Sequence, residues 1–300
     1  MPAAAQLALN GKPVTADVEL NLGVPGYQYA IGFTVDRVPL EPLVNSFSPE
    51  YRGQAKGELM AHVQIKGAGS TGASLQKSLS GRAGFAFTNA NIQLNALNSL
   101  MSIGPVRYVL NPIAGGVRAI AGQLTKLGVS DLVRVPLDLV DAEVALGNGK
   151  ISVTTCEMVS KEYQASTGGD ILIANVLNDS RYQNWPVNFS LRRSHAEKLR
   201  LVSRDAPTNT AYVALPTLAT VSGTLGAPEY KTDFKPLGGR LLQAVSGIPG
   251  IEGTKAGDAL KGLSNFLPGS KSTNTVTGTN APATNAPANP LLDLLRKPKK

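Results

Sequence analysis

Between residues 57 and 67 the chain alternates, with Leu59, Ala61, Val63 and Ile65 on one side of an extended segment and Glu58, His62, Gln64 and Lys66 on the other. This pattern predicts a strand buried on one face. A glycine-rich turn over 67–72 follows, then a helical turn over 75–79, a break at Gly81 and a further apolar segment from Phe85. Upstream, Leu7 and Leu9 precede Asn10 and Gly11, and Val14, Ala16, Val18, Leu20 and Leu22 follow them. An Asn-Gly pair between alternating segments predicts a tight hairpin, since both residues tolerate positive φ. Tyr29, Ile31, Phe33 and Val35 mark another strand.

Pro39 and Pro42 lack amide donors, so the ladder is expected to stop before them and a short helix to begin. After Phe85 and Phe87 the apolar positions change parity to Ala90, Ile92 and Leu94, which predicts a bulge near Thr88 and Asn89. Leu97, Leu100 and Met101 then adopt helical spacing. Beyond Gly104, Pro105 and Pro112, the residues Ile113, Val117, Ile120, Leu124 and Leu127 predict an amphipathic helix over 113–127 that Gly128 ends, and the prolines predict two helices rather than one. Ala142, Val144 and Leu146, a turn over 147–149, and Ile151 and Val153 form a second hairpin. Residues 171–176 read as a strand buried on both faces, and 187–191 and 221–225 as further strands. Leu237, Leu241, Val245 and Ile248, then Leu260, Leu263 and Leu267, read as short helices. The fold class is mainly β with a few amphipathic helices over residues 1–268. A flexible Ser/Thr/Asn/Ala/Pro linker at 269–290 and a basic tail at 291–300 follow.

Composition narrows the function classes. An apolar content of 42% is enough to build a core, while only 17% charged residues and abundant glycine and proline favour short elements joined by turns. The net charge of +8 is dispersed apart from Arg296, Lys297, Lys299 and Lys300, and aromatics are 5%, so neither a basic stripe nor a stacking platform for nucleic acid is present. Cys156 is the single cysteine and so has no disulfide partner within the chain; its strand-like setting reads as a buried, inert thiol. No apolar run reaches the roughly 18 residues of a membrane span. The first residues lack the basic and apolar regions of a signal peptide, which leaves either a cytosolic protein or a piece whose exporting segment lies elsewhere.

The chemistry candidates are few. Gly67, Gly69 and Gly72 match the GxGxxG spacing after a strand, but the helix expected there is one turn long and residues 87–92 contain no acid for a ribose, so a plain loop is the reading. His62 belongs to a polar strand face and His195 to a charged loop, neither with a ligand at metal-binding spacing. No serine sits in a nucleophile-elbow context. The expectation is therefore a protein that is not an enzyme and carries no catalytic residue, metal or cofactor. The helix over 113–127 packs across a sheet, or alternatively lies on a membrane surface with Arg118 and Lys126 toward anionic headgroups; the four basic residues of the tail could make the same contact.

The strand from Gly57, the Gly67 and Gly69 loop, the Leu79, Ser80, Gly81 turn and the Asn-rich strand from Phe85 to Ile92 occur in an order that resembles the carboxy-terminal region of the AsmA-like family of bacterial envelope proteins. The segment from Val221 to Pro228 is similar to the part that closes this region. The resemblance implies a long twisted, antiparallel-rich sheet curled into an apolar groove with helices covering it, in a periplasmic protein associated with the inner membrane through a missing or separate anchor. It further implies a role in outer-membrane biogenesis by binding or conducting phospholipid or another lipid, alongside envelope assembly proteins. Tyr29, Ile31, Phe33, Leu59, Val63 and Ile65 are then the groove candidates. The alternative is a structural or interaction module of an envelope assembly complex, whose sheet simply packs a core.

Overall fold

The computed structural model describes residues 2–24, 26–47, 49–101, 106–129, 131–199, 201–202, 207 and 209–238. The linker and basic tail expected from 269 onward, with Arg296, Lys297, Lys299 and Lys300, lie outside the described residues, as do the helices expected after 238. Fourteen strands form one antiparallel sheet that does not close on itself. The first eight, β1 (Pro2–Leu9), β2 (Lys12–Asn21), β3 (Gln28–Pro39), β4 (Ala55–Ala68), β5 (Ser80–Ile92), β6 (Leu137–Gly147), β7 (Lys150–Ser160) and β8 (Tyr163–Ser166), lie side by side in chain order. The order continues through β11 (Trp185–Arg192), β13 (Ala219–Gly223) and β14 (Pro228–Thr232). Short strands β9 (Gly169–Leu172), β10 (Arg181–Tyr182) and β12 (Tyr212–Ala214) attach to β7, β9 and β11 respectively. Five α-helices, α1 (Leu40–Phe47), α2 (Gly72–Ser78), α3 (Leu94–Met101), α4 (Val106–Lys126) and α5 (Arg193–Lys198), and three 3-10 turns at Pro49–Tyr51, Leu132–Arg134 and Leu177–Asp179 complete the described residues.

The predicted turns do the predicted work. Asn10 and Gly11 take φ of 52° and 75°, and Asn148 and Gly149 take 53° and 72°, the left-handed pairs that match the twist of a two-residue hairpin. The parity change after Phe87 is a register shift between β5 and β6, with Asn89 at φ 48°. Gly128, at φ 88°, ends α4.

Four expectations are corrected. Val38 and Pro39 remain in β3, paired with Leu59 and Glu58 beyond a bulge at Asp36 and Arg37. The proline is tolerated because β2 pairs with β3 only as far as Val35, so no strand on that side lacks its donor. Two helices, α3 and α4, are present as expected, but the second begins at Val106 rather than after Pro112, so α4 runs through that proline. The carbonyl of Tyr108, which an amide at position 112 would serve, accepts from the Tyr182 hydroxyl at 3.0 Å instead. The strand expected over 171–176 ends at Leu172 and is buried on one side only, with Ile171 and Ile173 inside and Leu172 56% exposed. His195 sits in the short helix α5 rather than in a loop.

The core gathers where α4 lies against β7, β8, β11, β13 and β14. Leu110, Ile113, Val117, Ile120 and Leu124 recur at helical spacing and are fully buried there. Gly116 brings the helix axis close to the sheet: a Cβ on it would lie 2.6 Å from a Val187 methyl. Trp185, the only tryptophan, is 1% exposed, meets Tyr182 edge-on at 5.0 Å and donates its indole N–H to the Asp170 carbonyl at 3.1 Å.

Candidate functional site

Strand alternation gives the sheet two chemically distinct faces, and the pairing register assembles each face into rows. On one face Val18, Ile31 and Ile65 stand opposite one another on β2, β3 and β4. The next row is Ala16, Phe33, Val63, Ala83 and Val144, and the one after is Val14, Val35, Ala61, Phe85 and Ala142. Tyr29 lies opposite Gly67, whose missing side chain leaves room for the phenol ring. All six residues proposed from the sequence thus share one face: Ile31 pairs with Ile65, Phe33 with Val63, and Leu59 with Val38.

Burial along this face runs as a gradient. Val38 is fully buried, Val35 is 5% exposed, Phe33 is half-buried and Ile31 is 37% exposed. Val18 and Leu20 on β2 stand 41% and 42% exposed, and Leu7 on β1 stands 67% exposed. An apolar sheet surface therefore emerges from the core and, among the described residues, continues across β1 to β4 with rising exposure. Such a contiguous patch is unusual on a water-facing surface and marks a site of interaction.

The opposite face presents Asp17, Gln64 and Arg82 in one row and Thr34 and His62 in the next. Three depressions, of about 740, 400 and 290 Å3, adjoin one another along β3. Residues of both alternations line them: Val18, Ile31 and Ile65 with Asp17, Glu19 and Lys66 in the first, Tyr29 with Gln28 in the second, and Val35 and Phe85 with His62 and Glu143 in the last. Within the last depression His62 Nε2 stands 3.3 Å from Glu143 Oε2. Gly84, between them in the row, permits this reach, since a Cβ there would collide with the Glu143 carboxylate. Burial raises Asp141 above its ordinary value, against a smaller opposing effect of the Ala142 amide and then of His62.

His195 Nε2 meets Glu162 Oε2 at 2.7 Å, with a side chain only 15% exposed. This pair ties α5 to the turn between β7 and β8. Both histidines therefore face a carboxylate, which pattern reading missed because the partners are 81 and 33 positions away in the chain. Neither pair has a serine or cysteine beside it among these contacts, and no group of three or more His, Cys, Asp or Glu that could hold a metal occurs among the described residues. Cys156 is buried, and desolvation, then Asp141 and Glu157, push its thiol far above the usual range.

The glycine loop does not present its amides to a ligand. The Gly72 amide donates to the Asn175 carbonyl at 3.1 Å, Gln76 bonds the Ile173 carbonyl, and Thr71 and Ser74 cap α2 reciprocally. Arg118 donates to the Leu94 carbonyl at 3.0 Å, and burial lowers its pKa, so its head is engaged within the protein; Lys126 is exposed in the last turn of α4. No helix among the described residues is long and apolar enough to cross a membrane. No family model, curated protein or solved structure matches the chain.

Proposed function

We propose that this is a non-enzymatic protein of the bacterial envelope that holds lipid acyl chains against the apolar face of β2 to β5 and supports outer-membrane biogenesis. The observation that carries the reading is the exposed apolar surface, with Val18, Leu20 and Ile31 about two-fifths exposed on one face of a sheet whose other face is polar. A row such as Ala16, Phe33, Val63, Ala83 and Val144 crosses five strands, roughly 20 Å at about 4.8 Å per strand, which is the length scale of an acyl chain lying across the sheet. Burying methylenes on such a surface contributes about 0.8 kcal/mol each and requires no bond chemistry. In this reading the sheet curls about its apolar side into a groove that helices close at one end, and the protein works in the periplasm against the inner membrane. The motif order shared with AsmA-like proteins points the same way.

The spread of the apolar positions favours a second reading. Val18, Leu20 and Ile31 are exposed side by side on β2 and β3, and such a broad surface also suits an apolar protein partner in an assembly complex. Native mass spectrometry of the gently extracted protein, with binding of an apolar fluorescent probe, separates the two. Lipid adducts that disappear in Ile31→Glu and Val63→Glu, but persist in Gln64→Glu on the opposite face, support acyl-chain binding. Absence of lipid and of probe binding in the unaltered protein overturns it in favour of the protein-partner reading.

A further inference from the structure

Three successive rows of the sheet line the depression of about 740 Å3. The outer two, Asp17, Gly32, Gln64 and Arg82 on one side and Glu19, Ala30, Lys66 and Ser80 on the other, point their side chains to the same face. The row between them, with Ile31 and Ile65, turns its side chains to the apolar face and meets the depression through its backbone. Phe33 and Val63, the next row on the apolar face, do not line it, so the depression opens on the charged side. Its walls are opposite in sign, with Asp17 and Glu19 on β2 and Lys66 and Arg82 on β4 and β5. Between them β3 contributes only Gly32 and Ala30, so the floor carries nothing longer than a methyl group. The acids stand two strands from Lys66 and three from Arg82, roughly 10 and 14 Å at about 4.8 Å per strand. None of the four makes an ion pair among the described residues, whereas His62, Lys150 and Arg192 on the same sheet each meet a carboxylate.

We propose that this trough binds a small zwitterion with an ammonium group at one end and a phosphate at the other, an aminoalkyl phosphate. The planar fork of Arg82 and the ammonium of Lys66 suit the phosphate oxygens, and the Gln64 amide beside them is a further donor. Asp17 and Glu19 accept from the ligand's ammonium, and the bare floor over Gly32 and Ala30 leaves room for the methylenes that join the two groups. A plain anion would meet the acids of β2 and a plain amine the bases of β4 and β5, so a molecule carrying both charges is the one that matches both walls. The neighbouring depression of about 400 Å3 shares Glu19, Ala30 and Lys66, which leaves space for a further substituent on the phosphate. All four charged side chains are exposed, where each ion pair contributes little, so the dissociation constant is on the order of 1 mM. This inference does not rest on acyl-chain binding, which uses the other face.

Calorimetric titration of the full chain with O-phosphoethanolamine at low ionic strength is expected to show saturable binding, with inorganic phosphate and ethanolamine each at least fivefold weaker. Lys66→Gln combined with Arg82→Gln weakens it at least fivefold, and Lys198→Gln on α5 leaves it unchanged. Asp17→Asn combined with Glu19→Gln makes the protein more positive and would tighten the binding of a plain anion, so weakening by this pair too is the signature of a zwitterion. Far-ultraviolet circular dichroism of each variant shows that the sheet is retained. Phosphatidylethanolamine vesicles distinguish the sources of the ligand. Vesicle binding that free O-phosphoethanolamine displaces, and that Lys66→Gln with Arg82→Gln abolishes, assigns the trough to a lipid headgroup; binding of the free compound without it assigns the trough to a soluble molecule. Failure of O-phosphoethanolamine to bind, binding no tighter than that of inorganic phosphate, or binding that Asp17→Asn with Glu19→Gln strengthens overturns the proposal.

Discussion

A buried thiol and an exposed carboxylate show how far local surroundings set side-chain chemistry in this protein. Cys156 sits in a β7 position facing α4, and desolvation holds it protonated, so it is expected to resist a thiol reagent in the native state and react at the rate of unfolding; rapid labelling without denaturant would contradict the burial. Asp170 is held below the usual carboxylate range by hydrogen bonds from Lys150 at 2.7 Å and Ser152 at 2.6 Å, which stitch β9 to β7. A carboxylate depressed in the folded state stabilises it above the unfolded-state value near 4, and that contribution disappears as pH falls through the folded value. Asp170→Asn should therefore lower the urea midpoint at pH 7 and become indistinguishable from the unaltered protein in acid; an equal deficit at both pH values would show that the effect is steric. The residue identities on these strands were legible from alternation, but the pairing of Asp170 with Lys150 was not, because it depends on β9 folding back beside β7.

Helix α4 illustrates how an element can override its own sequence signals. Propensity places a break at Pro112, yet the tertiary contact from Tyr182 serves the carbonyl that the proline leaves without an amide. Tyr182→Phe is expected to cost about 1–2 kcal/mol, and less in a Pro112→Ala background, where a new amide can reach Tyr108; urea denaturation of the four proteins in the cycle measures the coupling. Gly116 faces Val187 across the helix–sheet contact, so Gly116→Val should destabilise by about 1–3 kcal/mol through overpacking, visible as a lower melting temperature with unchanged helix content. The apolar spacing of Ile113, Val117, Ile120 and Leu124 did announce a buried helix face. It could not say which strands that face would meet, since they come from segments both shortly after the helix and more than a hundred residues beyond it.

At the scale of the whole molecule, the sheet changes character along its length, from a packed core around α4 to an exposed apolar surface at β1 to β4. The gradient predicts unequal costs for similar substitutions. Phe87→Ala, 4% exposed in the core, should destabilise by about 3–5 kcal/mol, whereas Ile31→Ala at the open end should cost under about 1 kcal/mol in a urea titration. An Ile31→Ala cost as large as that of Phe87→Ala would mean that the open face is covered in solution. The sequence by itself determined the long strands β1 to β7, both Asn-Gly and Gly-Asn-Gly hairpin turns, the bulge after Phe87 and the membership of Tyr29, Ile31, Phe33, Leu59, Val63 and Ile65 in apolar strand faces, because alternation and turn chemistry act between near neighbours, whereas the short strands β8, β10, β12 and β14 carry too few positions to show a period. Only the tertiary structure decided which parts of those faces are buried, that His62 and His195 meet Glu143 and Glu162, and that α4 passes through Pro112. These depend on which distant segments come together, and the free energy of that choice is spread over the whole buried surface rather than written at any one position.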